Sequence, residues 1–263
     1  MKSKKPLTPY LFWMAAFVII PLGMVAYYAF TGEDGSFTLS NFKYIAQNRQ
    51  VYLDSFAIAF ISTLICLVIA YPLALLMARM NPRGQRMMNI LIMLPMWMNF
   101  VLRICSLEVI LRPGGVLDNF FGLNTEAVFQ TSAGVVIGIV YNYLPFMVLP
   151  IYTVLAKISK PILEAGRDLG CNGWKLLWKV IFPLSIPGVI SGITMVFVPA
   201  ASSFFIASRL GGFNLIGDTI DTYYNKSFNP NAANMLSFVL MIVIVISIVI
   251  MNHFDKDDDI VLV

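Results

Sequence analysis

Residues 159–183 read SKPILEAGRDLGCNGWKLLWKVIFP. Long apolar runs flank them, 132–156 before and 184–207 after, while the stretch itself carries Lys160, Glu164, Arg167, Asp168, Lys175 and Lys179. Charges at that density are expensive in hydrocarbon, so the stretch reads as a water-exposed insert joining two membrane segments. Ser159 suits a helix N-cap and Pro161 its first turn. Ile162, Ala165, Gly166 and Leu169 then fall at i, i+3, i+4 and i+7, one face of a short helix, with Glu164, Arg167 and Asp168 lying away from it. Gly170 can take the left-handed conformation that ends such a helix. Asn172 is a cap for a second helix, in which Trp174, Leu177, Trp178 and Ile181 repeat the spacing and Lys175 and Lys179 take the polar side. Trp and Lys so placed suit a helix lying in the headgroup layer. The first helix is then the part left free to meet a partner, the alternative being a surface loop with none.

Working outward, the composition puts the whole chain in a membrane. Of 263 residues 59% are hydrophobic and 12% charged, against about 25% charged in soluble domains. Crossing a hydrocarbon core of about 30 Å takes roughly 20 apolar residues in a helix. Segments of that kind lie near 10–30, 54–78, 88–111, 132–156, 184–207 and 233–252. The expectation is an all-α integral membrane protein with six transmembrane helices. The first segment follows Lys2, Lys4 and Lys5 but runs uncharged from Tyr10 to Phe30. That is longer than the apolar region of a signal peptide, so it reads as a retained helix. Three parts follow: 1–50, a first helix and outer loop; 51–252, a core; and 253–263, a tail.

Lys and Arg in the loops set the orientation. With the N-terminus inside, the inner side holds Lys2, Lys4, Lys5, Arg79, Arg83, Arg86, Lys157, Lys160, Arg167, Lys175, Lys179 and Lys256. The outer side holds only Lys43, Arg49, Arg112, Arg209 and Lys226. Both termini and the charged insert are therefore expected in the cytoplasm. The acidic tail, Asp255 and Asp257 to Asp259, counts for little in this rule. The net charge of +4 follows from these loops and calls for no nucleic acid.

Within the segments, Gly134 with Gly138 and Gly188 with Gly192 are small-xxx-small pairs, which let helix backbones approach in lipid. Cys66, Cys105 and Cys171 lack the spacing of a metal or redox site. Asn99, Arg103 and Ser106 fall at i, i+4 and i+7 of the third segment, a polar stripe facing the bundle interior or water. Arg103 reads as a structural intramembrane charge, tied to helix carbonyls or to a partner's acid, in preference to a contact for a cation. Glu108 lies five residues further on, too far round the helix to pair with Arg103. It either attracts a cationic substrate or sits among headgroups. Tyr141, Asn142 and Tyr143 interrupt an apolar helix. Tyrosine rings can hold alkylammonium groups or simply pack helices. Trp97, Ser202 and Ser203 are further candidates for a substrate path. The stretch Pro199–Arg209 contains no acidic residue.

The insert resembles the EAA signature of ABC importer permeases, E-A-A-x3-G-x9-I-x-L-P. Glu164, Ala165, Gly170 and Pro183 fall on it, with Gly166, Val180 and Phe182 as conservative departures. Pro95, Trp97, Asn99 and Arg103 are similar to a segment of B-type spermidine/putrescine permeases, as are residues 141–152 and 210–220. The resemblance implies a type I permease core and a cytoplasmic coupling helix at about 160–169. Glu164, Ala165, Gly166, Asp168, Leu169 and Gly170 would there engage an ABC ATPase dimer. It also implies a second permease subunit, a C-type paralogue, and an extracytoplasmic polyamine-binding protein. Polyamines would enter by alternating access, through a subunit residing in the inner or plasma membrane. A permease for another small organic or metal-bound substrate, or an ion-coupled secondary transporter, are the alternatives. The chain has no G-x4-G-K-[ST] phosphate loop, so no cofactor is expected on it, and ATP and Mg belong to the ATPase. It also lacks HExxH and GxSxG motifs, so no enzymatic activity is expected of it.

Overall fold

The computed structural model describes residues 7–32, 34–122 and 125–256. Lys2, Lys4, Lys5 and Asp257 to Asp259 therefore lie outside the described residues. The described residues are helical nearly throughout, with one isolated bridge between Thr31 and Phe37. The spans are α1 (Tyr10–Ala29), α2 (Arg49–Arg79), a broken pair α3 (Pro82–Trp97) and α4 (Phe100–Leu111), and α5 (Ser132–Leu155). The short helix α6 (Lys160–Asp168) follows, then the span α7 (Gly173–Ala201). Two short helices, α8 (Ile206–Leu210) and α9 (Ile216–Asn225), precede the last span, α10 (Pro230–Met251).

Three spans make the centre. α2, α5 and α7 pack on one another, and the glycines of α7 set how closely. A Cβ at Gly188 would lie 2.9 Å from the Pro150 carbonyl oxygen, and one at Gly192 2.8 Å from Met147 Sδ. Gly134 and Gly138 do the same for α5 against Leu210 and Ile206 of α8. The apolar interior divides in two. Met77, Met147, Ile151, Leu176 and Ile181 cluster at the end that carries α6. Ile104, Ile139, Ile206 and Leu210 cluster towards the opposite end. Within α1 only Ala29, at its end, is buried inside this chain. The helix is anchored at that end, where Asn41 Nδ2 donates to Ala29 O at 2.8 Å and Phe30 meets Phe238 edge-on.

Two expected segments are not single rods. The segment expected at 88–111 begins earlier, at Pro82, and turns through 93° between Trp97 and Phe100. Pro95 lacks the N–H that would continue the ladder. Asn99 then starts a fresh helix, its Oδ1 accepting from Val101 N at 2.8 Å. The segment expected at 184–207 stops at Ala201, and Phe205 there takes a left-handed φ of +73°. Its beginning also differs. The second helix of the insert is not a separate element. It runs unbroken from Gly173 into the span, with Asn172 capping it through Lys175 N at 2.9 Å.

Pro183 shapes this run. Its missing N–H would leave Lys179 O without its usual donor. The helix widens into a π turn over Leu177–Ile181, where Phe182 N bonds back to Leu177 O. The same device appears at Ala15–Ile19, just before Pro21.

Candidate functional site

The first candidate surface is α6 with its flanks. Ser159 stands at the N-cap position but makes no side-chain cap bond. Gly170 closes the helix at φ +80°, where its lack of a Cβ removes the strain. The expected apolar face is not the buried one. Gly166 is buried and Leu163 packs on the core, whereas Ile162 and Ala165 are exposed and Leu169 is 86% exposed. Glu164, Asp168 and Gly170 are exposed as well. Helical spacing put these apolar residues on one face, but α6 touches the bundle along a narrower line, because only its Gly166 side meets α7. A Cβ at Gly166 would lie 2.7 Å from Leu176 Cδ1 and 3.5 Å from Val180 Cγ2. The short rod thus rests directly on the first turns of α7 and leaves acidic and apolar groups outward.

Beside α6 lies a cavity of about 680 Å³, lined in part by Arg79, Asn81, Gln85, Lys160 and Leu163. Gln85 ties its wall together. Its Nε2 donates to Ala78 O and Met80 O at 3.2 and 3.0 Å, and its Oε1 accepts from Tyr152 OH at 3.1 Å. Gln85 thus ties the ends of α2 and α5 to the start of α3.

The second candidate surface is a set of polar groups among the spans. Arg103 is buried, and its Nε and Nη1 have no hydrogen-bond partner among the described residues. The same holds for Asn142 Oδ1, while Asn142 Nδ2 donates to Gly138 O at 2.8 Å. Tyr143 is half-buried and close enough to Arg103 for an electrostatic contact. The expected stripe of Asn99, Arg103 and Ser106 does not share an environment. Asn99 is an exposed cap at the bend, and Ser106 is exposed with its hydroxyl turned back to Leu102 O. Trp97 is 78% exposed and Tyr141 41% exposed, so neither is buried as Arg103 and Asn142 are.

Glu108 is held by cations. Its Oε1 takes Arg112 Nη2 at 3.0 Å, and its Oε2 lies 3.7 Å from Arg209 Nη1. Arg209 also stands over the Phe205 ring, 5.0 Å from its centroid. Ser202 is half-buried where α7 ends, its hydroxyl turned to Val198 O at 3.1 Å. The break that follows is pinned from α9. Asp218 accepts from Phe205 N at 2.8 Å and Leu215 N at 3.2 Å. Burial pushes the Asp218 carboxyl up, and these backbone donors pull against that shift. Ser55 of α2 accepts from Ile216 N at 2.8 Å, which fixes α9 in turn. Sequence reasoning passed over Arg209, Phe205 and Asp218. Asp218 stands three residues after Leu215, at a position where a carboxylate caps a helix, which is a readable sign. Its hold on Phe205 is tertiary and left no local trace.

The profile of the family described as "Binding-protein-dependent transport system inner membrane component" matches residues 70–257. The chain belongs to that family. It is a multi-pass inner-membrane component of a transport system and not an enzyme. It is 33% identical over 259 residues to the spermidine/putrescine transport system permease protein PotB of Haemophilus influenzae, covering 93% of this chain and 91% of that protein. To PotB of Escherichia coli strain K12 it is 35% identical over 227 residues, covering 81% and 82%. Among solved structures, a bacterial ABC transporter involved in the import of the acidic polysaccharide alginate superposes with a TM-score of 0.78 at 13% identity. That match covers 97% of this chain and 94% of the other. A MetNI methionine ABC transporter chain gives 0.57 at 16%, covering 79% and 92%. At such identities the likeness shows the fold, that of an ABC importer permease, here with five spans and one bent pair among the described residues.

Proposed function

We propose that this chain is the permease subunit of an ATP-driven importer of spermidine and putrescine, with α6 as its coupling helix. The observation that carries the mechanical part is the pose of α6. A short rod that exposes Glu164, Asp168 and Leu169 and rests on α7 through Gly166 is built to transmit a push into a span. The substrate rests on the function of the relatives, whose matches cover 93% and 81% of this chain.

In this account both termini and α6 face the cytoplasm, and residues 51–252 form the moving core. Residues 1–50 and 253–263 are the first helix with its outer loop and the tail. Two ATPase copies receive the coupling helices of this chain and of a C-type paralogue, and they bind ATP and Mg. An extracytoplasmic polyamine-binding protein delivers the substrate. A second permease also gives Arg103 a role: unpaired buried guanidinium nitrogens are costly, and an acid of the paralogue satisfies them. The path is lined by candidates from Trp97, Asn99, Glu108, Tyr141, Asn142, Tyr143 and Ser202.

The test is uptake by the four-component system in liposomes. Labelled spermidine should accumulate only with internal ATP and loaded binding protein. Accumulation driven by an ion gradient without ATP contradicts the mechanism. ATP-dependent uptake of a different solute, with polyamines excluded, contradicts the substrate alone.

A further inference from the structure

Glu108 presents its two carboxylate oxygens unequally. Oε1 is within hydrogen-bond distance of Arg112 at 3.0 Å, whereas Oε2 has Arg209 at 3.7 Å, beyond that reach. The Glu108 side chain is only 14% exposed, but that of Arg209 is 48% exposed. The guanidinium of Arg209 also covers the face of Phe205. A carboxylate oxygen and an aromatic face converging on one cation is the arrangement that recognises an alkylammonium group. Here the cation is supplied from within the chain, on a side chain with room to swing into water. The pair joins two elements, since Glu108 belongs to α4 and Arg209 to α8. Phe205, the third member, is held in place by Asp218.

We infer that Glu108 Oε2 and the Phe205 ring form a binding site for one ammonium group of the polyamine, and that Arg209 occupies this site until the substrate displaces it. The inference rests on the polyamine reading above. Arg112 stays on Oε1 throughout, so the carboxylate keeps its orientation while the second oxygen changes partners. Release of Arg209 loosens the link between α4 and α8, so arrival of substrate and freedom of these two helices are coupled. The departing cation and the arriving one carry the same charge, so the exchange leaves the local charge unchanged.

The experiment is equilibrium binding of radiolabelled spermidine to the purified complex of both permeases with the ATPase, binding protein omitted. Arg209→Gln removes the competitor and should tighten binding about two- to fivefold, the scale of a partly exposed ion pair. Glu108→Gln should weaken it about tenfold, as for a lost charged hydrogen bond. In the double variant, binding should match Glu108→Gln, because removing a competitor is of no use without the site. Arg209→Met serves as a second neutral variant, and co-purification of all subunits checks assembly. A pair that merely braces the fold predicts otherwise: binding unchanged or weaker in both Arg209 variants. Either that result or no saturable spermidine binding in any form overturns the inference. Parallel uptake by the wild-type system separates the two levels. Spermidine uptake with unresponsive Arg209 variants removes this site alone, and absence of any polyamine uptake removes the substrate reading with it.

Discussion

Truncating Leu169 separates folding from coupling more cleanly than any other change in this chain. The side chain is 86% exposed and follows the last turn of α6. Leu169→Ala therefore removes almost no internal contact, and the fold should lose no more than about 0.5 kcal/mol. If α6 docks in a groove of the ATPase, the same leucine passes from exposed to buried there. Full burial of a leucine is worth about 1.5–3 kcal/mol, which corresponds to roughly 10- to 150-fold in docking affinity. The assay is the reconstituted transporter, with three readings on one preparation. Thermal unfolding of the membrane subunits should not move. ATPase retained on the permease after dilution should fall by at least tenfold, and spermidine uptake should fall with it. Uptake within twofold of wild type, at an ATPase concentration where docking limits the rate, would show that Leu169 touches nothing and that the reasoning from exposure is mistaken.

Other changes probe the remaining structure. Gly188→Val places a branched side chain 2.9 Å from the Pro150 carbonyl oxygen. Overpacking of that kind costs about 1–3 kcal/mol, so the variant should melt earlier and yield less protein, while Met195→Ala on an exposed part of α7 should not. Asp218→Ala leaves the N–H of Phe205 and of Leu215 without acceptors and should cost about 1–3 kcal/mol per buried donor left unpaired. Asp218→Asn retains one acceptor oxygen and should cost less, as read by thermal unfolding in detergent. Arg103→Met removes the two unpaired guanidinium nitrogens, Nε and Nη1. This chain alone should then be as stable or more stable, while recovery of the second permease in pull-down should drop.

The third segment shows how far the sequence could be read. Its apolar length and its Pro95 were plain, yet the 93° turn depends on which of two acceptable outcomes follows a proline, a kink or a restart. Asn99 decides for a restart by capping Val101, a local signal that was there to be used. Asn99, Arg103 and Ser106 do share the helix that starts there, with Arg103 N bonded to Asn99 O at 3.1 Å, but of the three only Arg103 is buried against the rest of the bundle, which spacing within one helix could not reveal. The short helix of the insert was legible because Pro161 and Gly170 mark both its ends. Its buried side was not. Which of Ile162, Ala165, Gly166 and Leu169 turns inward is settled by Leu176 and Val180 of the following helix, and periodicity within α6 carries no information about them. The glycine pairs of α5 and α7 were readable as packing surfaces, but not their partners on α8 and α5. Glu108 drew notice as an acid near the end of a span. Its two arginine partners come from one turn away and from a helix about a hundred residues on, and only the second needed the fold.

The account depends most on α6 being an intracellular contact for the ATPase. Site-directed crosslinking measures that without intermediates. In a background lacking Cys66, Cys105 and Cys171, Leu169→Cys should form a disulfide or maleimide-bridged adduct with a cysteine placed in the ATPase groove, and ATP should change its yield. A membrane-impermeant thiol reagent added outside intact cells should leave the same cysteine untouched. Labelling from outside, or no adduct with the ATPase at any groove position, contradicts the central claim.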